Sequence, residues 1–133
     1  MNIQTTKLPC FTDERGSLIP IEWSTLPFIP ARVFHVSGVV DGMYRGDHAH
    51  YTTSQYIIAL RGILLVHYDS YGSAGIIELN TQIRGLYVPP GYWVRIIFYS
   101  DAHMLVFADK SYDVSDYITD FEVFRHWKMG GSL

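Results

Sequence analysis

The chain has 133 residues, 48% of them apolar and 17% charged, which is enough for one folded domain over 1–133 with a sizeable core and too apolar for a disordered tail. The formal net charge is −3, and lysine and arginine stand singly with no basic stripe to track a phosphate backbone, so nucleic acid is not an expected partner. No apolar stretch approaches the roughly 20 residues that span a bilayer, no secretory leader is legible at the start, and the lone Cys10 can make no intrachain disulfide, so no membrane partner is expected and a reducing cytoplasm is.

In chain order, residues 3–8 predict an N-terminal strand with an exposed edge. The string Leu26-Pro27-Phe28-Ile29-Pro30 predicts an extended lead-in, because proline disfavours helix at itself and at the residue before it. Strands follow at 32–37 and 44–51, separated by a turn at 39–42. Two β-branched runs, 55–60 and 63–69, meet at Arg61-Gly62, which reads as a hairpin turn. A Gly/Ser-rich loop at 70–75 precedes short strands at 76–79, 86–88, 93–99 and 103–108. So many short strands with regular turns predict an all-β sandwich or barrel. In the tail, Tyr117, Phe121 and Phe124 recur at helical spacing within 113–127, which predicts one or two helical turns covering the core.

His48 and His50 sit at i and i+2 of a predicted strand and so face the same way, with the small Ala49 on the opposite face. Paired imidazoles suit metal ligation or proton transfer. Their surroundings choose between these. Gly42 is followed by five residues to His48, and His50 by four residues to Gln55 and six more to Gly62. This spacing resembles the first cupin motif, with glutamine in place of its glutamate. Pro89-Pro90-Gly91-Tyr92-Trp93 resembles the second, but Val94 stands where that motif has its metal-binding histidine. Metal sites generally use three or more protein ligands, so no metal is expected. The fold expected is a cupin, a jelly-roll barrel with a short helical C-terminal segment.

A longer series of motifs narrows the resemblance. Arg45-Gly46-Asp47-His48-Ala49-His50, Arg32-Val33-Phe34 upstream, Leu86-Tyr87-Val88-Pro89-Pro90 with Trp93, and Tyr112-Asp113 with Asp116-Tyr117-Ile118 together resemble the sugar 3,4-ketoisomerases over residues 8–127. Three positions depart from that pattern: Tyr51 for lysine, Val94 for histidine and His35 for tyrosine.

The resemblance implies a metal-free, cofactor-free isomerase of dTDP-4-keto-6-deoxyglucose in deoxy-amino-sugar or glycan biosynthesis, working as a homodimer. Such a reaction needs a base at C3, an acid at C4 and donors to an oxyanion, and His48 and His50 suit the proton transfers. Arg32 and Gln55 are candidate donors to the oxyanion and sugar hydroxyls. Arg45 is a candidate for the diphosphate, although in a regular strand it would point away from the histidines and serve a dimer contact instead. Tyr87 and Trp93 are candidates to pack around the ligand. A metal-dependent cupin enzyme and a non-catalytic sugar-binding cupin are the alternatives.

Overall fold

A computed structural model describes residues 1–130. The one-domain expectation for 1–133 includes 131–133, which lie outside the described residues. Ten strands occur in the order β1 (Gln4–Lys7), β2 (Phe11–Asp13), β3 (Gly16–Leu18), β4 (Arg32–Val36), β5 (Tyr44–His50), β6 (Gln55–Asp69), β7 (Ala74–Leu79), β8 (Arg84–Val88), β9 (Trp93–Ala108) and β10 (Tyr117–Ile118), followed by helix α1 (Phe121–Lys128). Short 3₁₀ turns fall at Trp23–Thr25 and Val114–Asp116.

All strand pairings are antiparallel, and β6 and β9 run beside one another from Gln55↔Ala108 to Asp69↔Trp93. Their first and second halves take different neighbours. Residues 55–58 of β6 pair with β8, which pairs with β1, while residues 104–108 of β9 pair with β4. Beyond the bend, residues 64–69 of β6 pair with β7, and residues 94–97 of β9 pair with β5, which pairs with β10. One continuous sheet is thereby folded into two facing layers, the jelly roll of the cupins. The expected strand at 3–8 is β1, an edge strand held by β8 alone.

The fold corrects the hairpin expected at Arg61-Gly62. The two runs are one strand that bends, with register shifts on both sides of Arg61. Gly62 sits at φ +74°, and a Cβ there would lie 2.5 Å from the Ala102 Cα. Opposite it, Ser100 and Asp101 have φ +59° and +52°, so the expected strands 93–99 and 103–108 are likewise one bent strand. A glycine at positive φ serves a hairpin turn or a bulged corner equally well, and only long-range pairing tells them apart.

The main core fills the space between the layers, with Ile57, Leu64, Val66, Leu86, Phe98 and Val106 almost fully buried. The N-terminal segment covers the outer face of one layer, where Leu8 and Leu26 pack with Tyr56, Ile58, Tyr87 and Phe107. Helix α1 covers the outer face of the other. Asp120 caps it by accepting from the Glu122 and Val123 N–H groups, and Phe124 is wholly buried with Ala49, Trp93 and Ile118. Burying such a side chain contributes roughly 2–3 kcal/mol. Tyr117, expected on the same helical stripe as Phe121 and Phe124, is instead in β10 and pairs with His50.

Candidate active site

The site is built on an irregularity in β5. Gly46 and Asp47 have φ +89° and +64°, and the register with β9 shifts between Gly46 and His48. A Cβ on Gly46 would meet the Val94 carbonyl oxygen at 3.1 Å, so glycine lets the strand pass close to β9. The bulge turns Asp47 outward, where its carboxylate accepts hydrogen bonds from Trp93 Nε1 at 3.0 Å and Arg95 Nε at 3.3 Å. One inserted residue also reverses the alternation. Arg45 and His48 therefore line the same cavity, which corrects the regular-strand expectation that Arg45 faces away.

That cavity, about 220 Å³, lies between the layers and is walled by Arg45, His48, Gln55, Tyr117 and Val94. His50 stands behind His48, with ring centroids 5.1 Å apart and planes at 82°. The Tyr117 ring closes over both, 4.9 Å from His48 and 4.3 Å from His50. Gln55, at the start of β6, is buried and offers a neutral donor and acceptor. Arg32, from β4, lies over the rings of Phe34 and Tyr112 at 5.1 and 5.5 Å. Its Nε and Nη2 are buried without a hydrogen-bond partner, as are both ring nitrogens of His50. Buried donors in this state favour a ligand that accepts from them.

Electrostatics set the protonation states. Burial, reinforced by the neighbouring His48 and by the Arg32 charge, pulls His50 down to about 4, against the opposing pull of Asp116. Burial also lowers His48, partly offset by the Gly46 backbone and the Asp47 charge. His50 is therefore a neutral imidazole at pH 7, and the shift of His48 favours the same state. Burial tends to raise Asp116, but hydrogen bonds from Thr53 and Thr52 outweigh it and hold the carboxyl below its ordinary value.

Two expected ligand-packing residues lie elsewhere. Tyr87 belongs to the outer cluster under the N-terminal segment, 6.4 Å from Phe28, with its hydroxyl 3.3 Å from Ser54 Oγ. Trp93 packs against Phe121 and Phe124 of α1 at 5.1 and 5.6 Å. Strand alternation explains both: Leu86, Val88 and Val94 take the inner face and leave Tyr87 and Trp93 outside. Of the departing positions, Val94 is a cavity wall, Tyr51 packs edge-on against Trp127, and His35 is exposed beside His103. Among the described residues no three His, Cys, Asp or Glu side chains are grouped to hold a metal, and the cavity wall carries one imidazole, His48, with His50 behind it.

Asp116 and Tyr117 are site residues that helical spacing misplaced. Their signal was the Asp116-Tyr117-Ile118 string of the tail, whose role appears only when β10 pairs with β5.

The family model described as FdtA: WxcM-like, C-terminal, matches residues 1–129. The chain is 35% identical over 117 residues to the TDP-4-oxo-6-deoxy-α-D-glucose-3,4-oxoisomerase of Aneurinibacillus thermoaerophilus, covering 86% of this chain and 84% of that protein. It superposes on QdtA, a sugar 3,4-ketoisomerase from Thermoanaerobacterium thermosaccharolyticum in complex with TDP, with a TM-score of 0.93, 30% identity and coverage of 97% and 96%. A histidine-to-asparagine mutant of the same enzyme, in complex with TDP-4-keto-6-deoxyglucose, superposes with a TM-score of 0.93, 29% identity and coverage of 97% and 95%. The match takes in the bent strands, the histidine pair and the tail that closes over it, and the chain belongs to the FdtA family of WxcM-like C-terminal domains.

Proposed function

We infer that this chain is a nucleotide-sugar 3,4-ketoisomerase, which moves the carbonyl of a dTDP-4-keto-6-deoxyhexose from C4 to C3. The observation that carries the reading is a cavity where His48, backed by His50, stands with Arg45 and Gln55, and where the unpartnered Arg32 guanidinium lies close to His50. The likeness to 3,4-ketoisomerases supports the same chemistry.

The C4 carbonyl makes the C3 proton acidic. A neutral imidazole of the pair takes that proton, and the electrons pass to O4 as an enediolate. Arg32 and Gln55 supply the hydrogen bonds that strengthen as charge gathers on that oxygen. The imidazolium so formed returns its proton to O4, while the other imidazole takes the O3 proton as C3 becomes the carbonyl and delivers it to C4, so that both imidazoles end neutral. The substrate is oxidised at C3 and reduced at C4 within one molecule, so the balance requires no external oxidant or reductant. Arg45 binds the diphosphate through its planar fork.

A homodimer fits the exposed apolar hairpin of β2 and β3, where Phe11 and Leu18 face one another at 65% and 61% exposure, and the open edge of β1. Among the described residues no helix is long and apolar enough to cross a membrane. A cytoplasmic location fits a nucleotide-linked substrate and the unpaired Cys10.

The test is NMR of dTDP-4-keto-6-deoxyglucose incubated with the protein in D₂O. The expected result is a 3-keto product with solvent deuterium at C4, whose configuration the same spectrum reports. Recovery of unchanged substrate, with no deuterium at C3, overturns the reading.

A further inference from the structure

The His50–Asp116 contact has a shape that the proton transfers alone do not require. Asp116 closes the 3₁₀ turn after residue 113, and its carboxylate is caged by the loop that follows β5. Oδ1 accepts from the Thr52 N–H at 2.9 Å and the Thr52 hydroxyl at 2.7 Å. Oδ2 accepts from the Thr53 N–H at 3.0 Å and closely from the Thr53 hydroxyl. The Asp116 carbonyl also accepts from the Tyr51 N–H at 3.0 Å. Oδ2 then faces His50 Nδ1 at 3.6 Å, with both side chains nearly excluded from solvent.

That distance is longer than a hydrogen bond and short enough to become one when a ligand tightens the site. The other groups about His50 are His48 on β5, Tyr117 on β10 and the Arg32 guanidinium on β4. Asp116 is the only carboxylate among them. It is thus the one neighbour that is always an acceptor and prefers a proton on Nδ1.

We propose that Asp116 is a positioning residue, which holds His50 as the Nδ1–H tautomer and leaves the Nε2 lone pair free for proton transfer. A carboxylate with four donors is a poor base, so Asp116 keeps its charge and does not take the proton itself. It favours the imidazolium that forms at His50 and fixes which nitrogen reacts. The role of Thr52 and Thr53 is to hold that charge in place. This inference rests on the ketoisomerase reading for its consequence in turnover, but not for its geometry.

The test combines nitrogen NMR with kinetics. In the ¹⁵N-histidine-labelled wild-type protein, the His50 imidazole should show a protonated Nδ1 and an unprotonated Nε2 at pH 7. Asp116→Asn should abolish that preference. With dTDP-4-keto-6-deoxyglucose, the same variant should lower kcat on the order of 10²-fold. KM should stay near the wild-type value, because Asp116 does not line the cavity. The acid limb of kcat/KM should move to lower pH, since removing the negative charge disfavours the protonated imidazole. A merely structural role would lower kcat without moving that limb.

A wild-type His50 protonated on Nε2 overturns the proposal and requires no variant to fold. So does an Asp116→Asn enzyme that keeps the wild-type tautomer or the wild-type pH profile. A wild-type protein inert towards the sugar overturns the functional reading alone, and the nitrogen spectrum then decides the tautomer claim by itself.

Discussion

Arg45 and His48 are three residues apart on one strand yet face one cavity, because the bulge at Gly46-Asp47 adds a residue between them. In a regular strand, residues three apart point to opposite faces. The bulge therefore brings a fixed positive charge to the wall that carries the reacting imidazole. Trp93 and Arg95 hold it from outside through Asp47.

The first prediction follows from that placement. Arg45→Lys keeps the charge but loses the planar fork that grips a diphosphate. KM for the nucleotide sugar should rise on the order of 10-fold, equivalent to about 1.4 kcal/mol of binding. Arg45→Ala should raise it further, and kcat should change much less than KM in both. Steady-state kinetics check this. A fall in kcat at constant KM would instead place Arg45 at the reacting carbons.

The second prediction concerns the corner. Gly62→Ala places a methyl group 2.5 Å from the Ala102 Cα and 2.8 Å from both the Ala102 nitrogen and the Ser100 oxygen, all backbone atoms. Its φ of +74° adds the left-handed penalty, about 1–2 kcal/mol for an L-residue. The two together should destabilise the protein by roughly 3 kcal/mol or more, read as a lower midpoint in urea. Wild-type stability in this variant would show that the corner can open without cost.

These positions also mark how far the sequence was legible. The histidine pair, Gln55 and Gly62 lie at spacings that identify a jelly roll, and the local strand signals are correct at nearly every run. Gly62 itself was misread, because its positive φ serves a turn and a corner alike. The direction of Arg45 was not legible, because nothing local in Arg45-Gly46-Asp47 distinguishes a bulge from a regular strand. The bulge becomes visible only against Val94 of β9, far along the chain. Tyr117 was misread because a spacing of four and then three from Tyr117 to Phe124 is helical whether or not the first member belongs to the helix. Asp116 gains its role only from Thr52 and Thr53, more than sixty residues away.

The third prediction is that turnover survives exhaustive chelation. The argument rests on the donor set: Gln55 is a neutral amide, Val94 is apolar, and two imidazoles fall short of the usual three or more protein ligands. Activity lost to a chelator and restored by one added metal would sink the metal-free mechanism.

The fourth prediction is a stability profile. His50 has its pKa depressed from 6.5 to about 4 on folding. Its contribution is fully present above the unfolded value and is lost as pH falls from there through about 4. A shift of that size corresponds to at most roughly 3 kcal/mol. Asp116, also lowered on folding, adds a loss in the same direction as pH falls below the ordinary carboxyl value. Urea titrations should show the wild type losing stability between pH 7 and 5, with His50→Asn flattening that slope. Equal slopes in the two proteins would mean that His50 is not desolvated in the folded state.

The last prediction separates the two histidines. His48 is on the cavity wall and His50 is behind it, so both are within one site but not equivalent to a bound sugar. His48→Asn and His50→Asn should each lower kcat on the order of 10²-fold or more, the usual worth of a positioned acid or base, while the barrel stays folded. Asparagine keeps hydrogen-bonding capacity but cannot exchange a proton near neutral pH. Loss of the histidine that serves C3 stops both isomerisation and deuterium uptake at C3. Loss of the one that serves C4 blocks isomerisation but leaves C3 exchange running, because the enediolate still forms and returns. Exchange in D₂O, followed by NMR alongside turnover, therefore assigns the roles that turnover alone leaves merged. Near-wild-type turnover in both folded variants would remove the pair from the mechanism and leave the cavity without a proton carrier.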